Sequence, residues 1–400
     1  MVSAPAKSAG KVTAYEAELR RTEEEVAALE ASLAKAPRDI EKRTRLAYRL
    51  YHRASLTENP DAFRTAEKSI AAAIAQFGPQ EDLCLLKANL DFRFHRLQET
   101  EQDLRMTPQL RGRLEARSLE ADLAFQCGTY QEARASYETL IQEHRSWDNL
   151  ARLAHFHSKM GNPDVADQLY VEAEDELTAK EMRSFAWLEL QRGVLDVDRG
   201  RYEDAAAHYQ RANQAYSGSW LIDEHRAEIL AATGRFDEAV ELYLEVIRRT
   251  SKPELLQTLG ELYVFINQPQ NAAPCFERAL AAYLASAKRG EVHYYHHLTD
   301  FYADVSEDAG AAVAWARKDL DLRENFSTQS ALARALYKDG AIEDALIWID
   351  LALSSGAVSA ELFRQGAVIY KAAGMTGESA RLRGLANAIN PHPGNFHVHR

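Results

Sequence analysis

Residues 255–279 read LLQTLGELYVFINQPQNAAPCFERA. Leu256, Leu259, Gly260 and Tyr263 recur at helical spacing; a polar break, Asn267-Gln268-Pro269, follows; then Ala272, Phe276 and Ala279 resume the same period. Apolar residues three and four apart on both sides of a break predict two short amphipathic helices joined by a tight turn.

Working outward from this stretch, one pattern returns along the chain: a turn residue, a small residue five positions on, and a bulky one four further. It appears as Gly128/Ala133/Tyr137, Gly161/Ala166/Tyr170, Gly200/Ala205/Tyr209, Gly234/Ala239/Tyr243, Asn267/Ala272/Phe276, Ser306/Ala311/Trp315, Gly340/Ala345/Ile349 and Gly374/Ser379/Arg383. The steps between turn residues are 33, 39, 34, 33, 39, 34 and 34. Seven residues before most turns stands another small residue, among them Ala121, Ala154, Gly193, Ala227, Gly260, Ala333 and Ala367. Two facing small positions let paired helices approach closely. Glycine at the turn supplies the left-handed backbone that ends the first helix. A unit of this kind cannot bury its apolar face alone, so its stability has to come from stacking on its neighbours.

This spacing of about 34 residues, with Leu256, Leu259, Gly260, Tyr263, Ala272, Phe276 and Ala279 at their places and Pro391 closing the last unit, resembles the tetratricopeptide-repeat family over residues 114–391. The resemblance implies an all-α, right-handed α-solenoid of stacked helix-turn-helix repeats, with the first helix of each unit lining a concave groove that holds another protein or peptide. Several units carry Arg117, Glu189, Asp223 or Gln329 where the family has a bulky first-helix residue.

Upstream, residues 37–113 read as degenerate repeats: one runs from Leu46, Ala47 and Leu50, across an insertion at Asn59-Pro60, to Ala66, Ile70 and Ala73, and another from Leu85 to Leu104. Residues 14–36 form an amphipathic helix with Tyr15, Leu19, Thr22, Val26, Leu29 and Leu33 on a coiled-coil-like seam, which predicts either a cap on the first repeat or homo-oligomerisation. Residues 1–13 lack apolar anchors and are expected to be flexible. The tail, 392–400, is expected to fold back over the last repeat with Phe396 as anchor, and its His397-x-His399 pair is a candidate metal ligand set.

The chain has 400 residues, a formal net charge of −12 and a pI near 5.6. No broad basic field exists to displace phosphate counterions, so nucleic acid is not the expected partner. No run approaches the roughly 20 apolar residues of a membrane span. A cytoplasmic protein follows. Cys84, Cys127 and Cys275 form no C-x-x-C pair and predict neither a disulfide framework nor a zinc knuckle. Phosphate-cradling loops, nucleophile elbows and zinc-protease helices are absent from the sequence, so the expectation is a non-enzymatic scaffold with no cofactor.

Carried over position by position, the resemblance places Asp148, His155, Lys159, Trp187, Glu224, Glu228, Glu254, Gln257, Glu261 and Phe265 in the groove, followed by His293, His296, Asp300, Asp304, Arg334, Tyr337, Lys338 and Arg364. That lining is apolar near Trp187, acidic in the middle and basic towards the C-terminus. Opposed charge would select a partner with a basic segment. The Lys and Asn pair with which some relatives grip a C-terminal carboxylate is missing: the corresponding positions hold Ala151 with His155, Glu224 with Glu228, and Arg364 with Val368. His293, His296, Asp300 and Asp304 fall on one helix face and form an alternative, metal-binding reading together with the tail histidines.

Overall fold

The computed structural model describes residues 12–397. The tail residue His399 and most of the N-terminal segment 1–13 lie outside the described residues. The chain is an all-α solenoid, with no strand among the described residues.

Helix α1 (Ala14–Lys35) precedes ten helical hairpins: α2 (Ile40–Thr57) with α3 (Pro60–Phe77), α4 (Glu81–Arg93) with α5 (Leu97–Leu104), α6 (Leu114–Gln126) with α7 (Tyr130–Glu143), α8 (Trp147–Lys159) with α9 (Pro163–Asp175), α10 (Met182–Asp198) with α11 (Tyr202–Ala215), α12 (Trp220–Ala232) with α13 (Phe236–Arg249), α14 (Pro253–Phe265) with α15 (Pro269–Lys288), α16 (Tyr295–Asp300) with α17 (Ala309–Leu322), α18 (Phe326–Lys338) with α19 (Ile342–Ser354), and α20 (Ala360–Ala372) with α21 (Thr376–Ile389). Thr13 opens α1 with a reciprocal capping box to Glu16. The seam of α1 is spent within the chain: Val26 and Leu33 pack with Leu46, Leu50 and Ala66.

The turn residues read from sequence have left-handed backbones: Gly128, Gly161, Gly200, Gly234, Gly340 and Gly374 lie at φ 71–81°, and Asn267 at 60°. The close approach of paired helices is visible at Gly193 and Gly260, where an added Cβ would sit 2.1 Å from the Tyr209 ring and 2.5 Å from the Phe276 ring.

Three readings are corrected. In the sixth unit the left-handed residue is Glu307 (φ 52°), not Ser306, and the fully buried residues five and nine positions on are Ala312 and Ala316, in place of Ala311 at the small position and Trp315 at the bulky one. The cause is a π-helical turn, Phe301–Val305, that continues α16 and takes up one extra residue before the break. Asn59-Pro60 is no insertion: Glu58 is the left-handed turn residue, the Asn59 side chain caps α3, and Pro60 starts it. His95 (φ 60°) stands in the same slot after α4. A non-glycine residue there costs about 1–2 kcal/mol.

The third correction concerns the tail. Phe396 is buried, but its partners are Phe265, 5.6 Å away between ring centroids, and the cluster of Ala227, Ala239 and Tyr243 rather than residues of the last hairpin. The Asn395 side-chain amide donates to the Ala232 carbonyl (2.9 Å), and that of Asn390 to the Val197 carbonyl (3.4 Å).

These contacts belong to a larger pattern. Asn325 donates to the Gln126 carbonyl (2.9 Å), the Phe326 amide donates to the Tyr130 hydroxyl (3.0 Å), and the Val358 amide donates to the Lys159 carbonyl (2.9 Å). At the other end, Trp220 and Tyr15 both donate to the Leu56 carbonyl, and Tyr216 donates to Glu18 at 2.6 Å. Most of these partners are separated by 160–200 residues. That separation equals about five to six units of 34 residues. Each hairpin adds a small rotation, and the superhelix has turned far enough for its later hairpins to rest on its earlier ones. Two of the glycine turns lie against this seam: a Cβ on Gly128 would meet the Glu324 carbonyl at 2.6 Å, and one on Gly161 would meet Val358 at 2.7 Å.

Candidate functional site

From α8 to α20 the predicted lining falls on the first helix of each hairpin, except His293, which precedes α16, and Asp304, which lies in the π-helical turn. On α8, Arg152 bridges Asp148 (2.9 Å) and Asp122 of α6 (3.0 Å), and Tyr137 donates to the same Asp122 (2.9 Å). Burial raises the Asp122 pKa even against Arg152. Asp148 ends below its usual range: burial raises it, and the Ser146 hydroxyl and Arg152 outweigh that. Asp148 is therefore already engaged by its own repeat. His155, two turns beyond Asp148, is exposed and set edge-on to Phe125 (5.6 Å). Desolvation, aided by the Lys159 charge, lowers its pKa. The Lys159 carbonyl is the one that receives Val358 across the seam.

The middle of the lining differs. Trp187 is 38% exposed and stacks edge-on against Trp147 at 6.1 Å. It shares a hollow of about 200 Å³ with Tyr15, Arg93, Arg183, Trp220 and Lys252. Lys252 lies 5.1 Å above the Trp220 ring and 3.0 Å from Glu254. Burial works to lower the Lys252 pKa, yet Glu254, Glu224 and Glu58 together raise it, so the ammonium stays charged. Glu58 is ion-paired with Arg93. One carboxylate oxygen of Glu224 and one of Glu254 are buried and take no hydrogen bond from the described residues. Acceptors in that state are costly unless a donor reaches them.

Other predicted residues pack against their own chain. Glu228 is 2% exposed. Gln257 is buried, donates to Glu261 (2.8 Å) and accepts from the Tyr283 hydroxyl (3.0 Å). Phe265 is 46% exposed and covers Phe396.

Towards the C-terminus, Arg334 is ion-paired with both Asp300 and Asp304, and Lys338 lies 3.6 Å from Asp304. Tyr337 packs on the local core, and Arg364 donates to the Asn390 carbonyl (3.1 Å). The cations expected at this end are thus matched by their own neighbours.

Asp300 is also removed from the expected metal set, because Arg334 holds it. His296 turns instead towards His95 and Asp319. The three offer ligand atoms that all lie within 4.8 Å of one another, the one such group among the described residues. Burial, with Arg323 and the neighbouring imidazoles, brings the His95 pKa down to about 2, and burial likewise lowers His296. Sequence reading missed His95 because it holds the left-handed turn slot without a glycine to mark it.

With this geometry in view, comparison with known proteins places the repeats. Residues 190–252 and 253–285 each match a tetratricopeptide-repeat family model. No curated protein matches the chain. Among solved structures it is similar to a tetratricopeptide repeat protein from Parabacteroides merdae ATCC 43184 (18% identity, 60% of this chain and 92% of that one, TM-score 0.40). It is also similar to the APC/C hetero-tetramer Cut9–Hcn1 (15% identity, 86% and 64%, TM-score 0.49) and to Naa15/Naa10 bound to HypK-THB (16% identity, 93% and 67%, TM-score 0.29). Residues 190–285 are tetratricopeptide repeats by sequence, and helical hairpins continue on either side of them. No helix among the described residues is long and apolar enough to cross a membrane.

Proposed function

We propose that the chain is a non-catalytic scaffold in the cytoplasm that holds a basic segment of a partner protein on its concave first-helix wall, centred on Trp187. The observation that carries this reading is the pair of buried, unanswered carboxylate oxygens on Glu224 and Glu254, set around Lys252 in the neighbourhood of a half-exposed Trp. A Lys or Arg side chain supplies the donors those oxygens lack, and its aliphatic stem packs on an indole face. Exposed Trp beside desolvated charge is the composition of a binding hot spot. His155, Phe265 and the rim of Asp148 extend the same wall, while Arg334, Lys338 and Arg364 contribute shape more than free charge. Self-association through residues 14–36 is the weaker part of the sequence reading, because the seam of α1 already covers α2.

Affinity capture from native lysate tests the proposal, comparing wild type with Trp187→Ala/Glu224→Lys/Glu254→Lys, both verified as folded by circular dichroism. Partners with basic segments retained by wild type alone support the site. An identical set on both proteins removes it.

A further inference from the structure

We propose that His95, His296 and Asp319 form a binding site for a divalent transition-metal ion of the Zn²⁺ type, which staples two successive turns of the superhelix to each other. This inference is independent of the partner-binding surface proposed above.

The three residues come from separate elements: the turn after α4, helix α16 and helix α17. Their ligand atoms already lie within 4.8 Å of one another. Zinc holds imidazole nitrogen at about 2.0–2.1 Å and carboxylate oxygen at about 2.0–2.2 Å, which spaces tetrahedral ligands roughly 3.4 Å apart, so a shift of about an ångström closes the set. Two imidazoles with one carboxylate match a borderline divalent cation better than the all-oxygen shell preferred by Ca²⁺ or Mg²⁺. Water completes the coordination; His293, its ring centroid 5.6 Å from that of His95, is the next nitrogen within reach.

Two further observations point to a ligand. The Nδ1 atoms of His95 and His296 are buried and without a hydrogen-bond partner, as is that of His293. Such a cluster of imidazoles without donors or acceptors is what a metal would satisfy. Second, His95 holds a left-handed backbone in the slot that glycine takes at most other turns. At Gly128 and Gly161 that slot faces the hairpin about six repeats later at under 3 Å. His95 sends its side chain across the same seam, its ring centroid 5.6 Å from that of His293 and 5.5 Å from that of His296. Asp319 is fixed by Arg323, with both contacts at 3.2 Å. A ligating carboxylate is ordinarily held by such an outer hydrogen bond, and it keeps lone pairs for the metal.

The test uses the full chain, stripped of metal with chelator and dialysed against micromolar Zn²⁺. The variants are His95→Gly, His296→Ala and, away from the cluster, His155→Ala. His95→Gly restores the residue the turn prefers, so it is expected to fold as well as wild type. The expected result is one equivalent of Zn²⁺ on wild type and on His155→Ala, affinity tenfold or more weaker in His95→Gly and His296→Ala, and a Zn²⁺-dependent rise in Tm that both cluster variants lose. Absence of saturable uptake by wild type overturns the site. So does uptake retained in full by both cluster variants, which would place the ion elsewhere, as on the exposed Cys127 or the tail histidines.

Discussion

The side-chain amide of Asn325 donates to the carbonyl of Gln126, 199 residues earlier, at 2.9 Å. Asn325 caps α18 with its side-chain oxygen, which accepts from Ser327 and Thr328, while its nitrogen reaches the end of α6. One residue thus starts a repeat and docks that repeat on the preceding superhelical turn. The solenoid is held along this seam as well as by neighbour-to-neighbour stacking.

Gly128→Ala strikes the seam directly, because its new Cβ would lie 2.6 Å from the Glu324 carbonyl on a backbone at φ 78°. Backbone strain and overpacking together should cost about 3 kcal/mol. Gly340 has a similar backbone and open space around it, so Gly340→Ala should cost only the strain, about 1 kcal/mol. Urea unfolding of the two variants measures the difference, and equal midpoints would show that the seam contributes nothing.

The π-helical turn makes an opposite-sign prediction at adjacent residues. Glu307→Gly relieves a left-handed backbone and should raise stability by up to about 1 kcal/mol. Ser306, at φ −92° and ψ −8°, gains nothing from glycine, and Ser306→Gly should lower stability by about 0.5–1 kcal/mol. Thermal unfolding of both variants decides the register.

Phe396→Ala removes a buried ring from beneath Phe265 and should cost about 3 kcal/mol. Protease sensitivity should rise at the C-terminus and around residues 232–236 together, since the tail covers both. A loss confined to the tail would mean that it lies on the surface without supporting it.

Glu18 gives the pH dependence of the N-terminal docking. Burial alone would raise its pKa, but hydrogen bonds from His52 and Tyr216, with the Arg183 charge, bring it down to about 2 from an ordinary 4.5. A carboxyl lowered in the folded state favours folding fully above pH 4.5, and that contribution fades as pH falls from there towards 2. Glu18→Gln should therefore flatten stability between those values and lose on the order of 1–3 kcal/mol at neutral pH. Denaturant titrations at pH 3 and pH 7 check both statements.

Much of the fold was legible because the repeat signal is local. Gly193 facing Tyr209, and Gly128 ending α6, both announce themselves within one unit. Ser306 was misread for Glu307 because an extra residue inside a helix leaves no mark in composition. His95 and Glu58 escaped because a left-handed turn without glycine looks like ordinary helix. The seam was invisible for another reason: Asn325 meets Gln126 through the accumulated rotation of many hairpins, which no single repeat encodes. Contacts within and between neighbouring repeats decide the mixed fate of the lining: Gln257 and Arg334 are engaged there, while Trp187 keeps exposed surface and Glu224 a buried oxygen without a donor.

The most direct test of the binding account is selection from a displayed peptide library that spans acidic to basic net charge, with wild type and Glu224→Lys/Glu254→Lys as baits. The account predicts that wild type enriches peptides carrying Lys or Arg beside an apolar residue, and that the variant loses them. Enrichment without charge bias, or the same basic peptides retained by the variant, would contradict it.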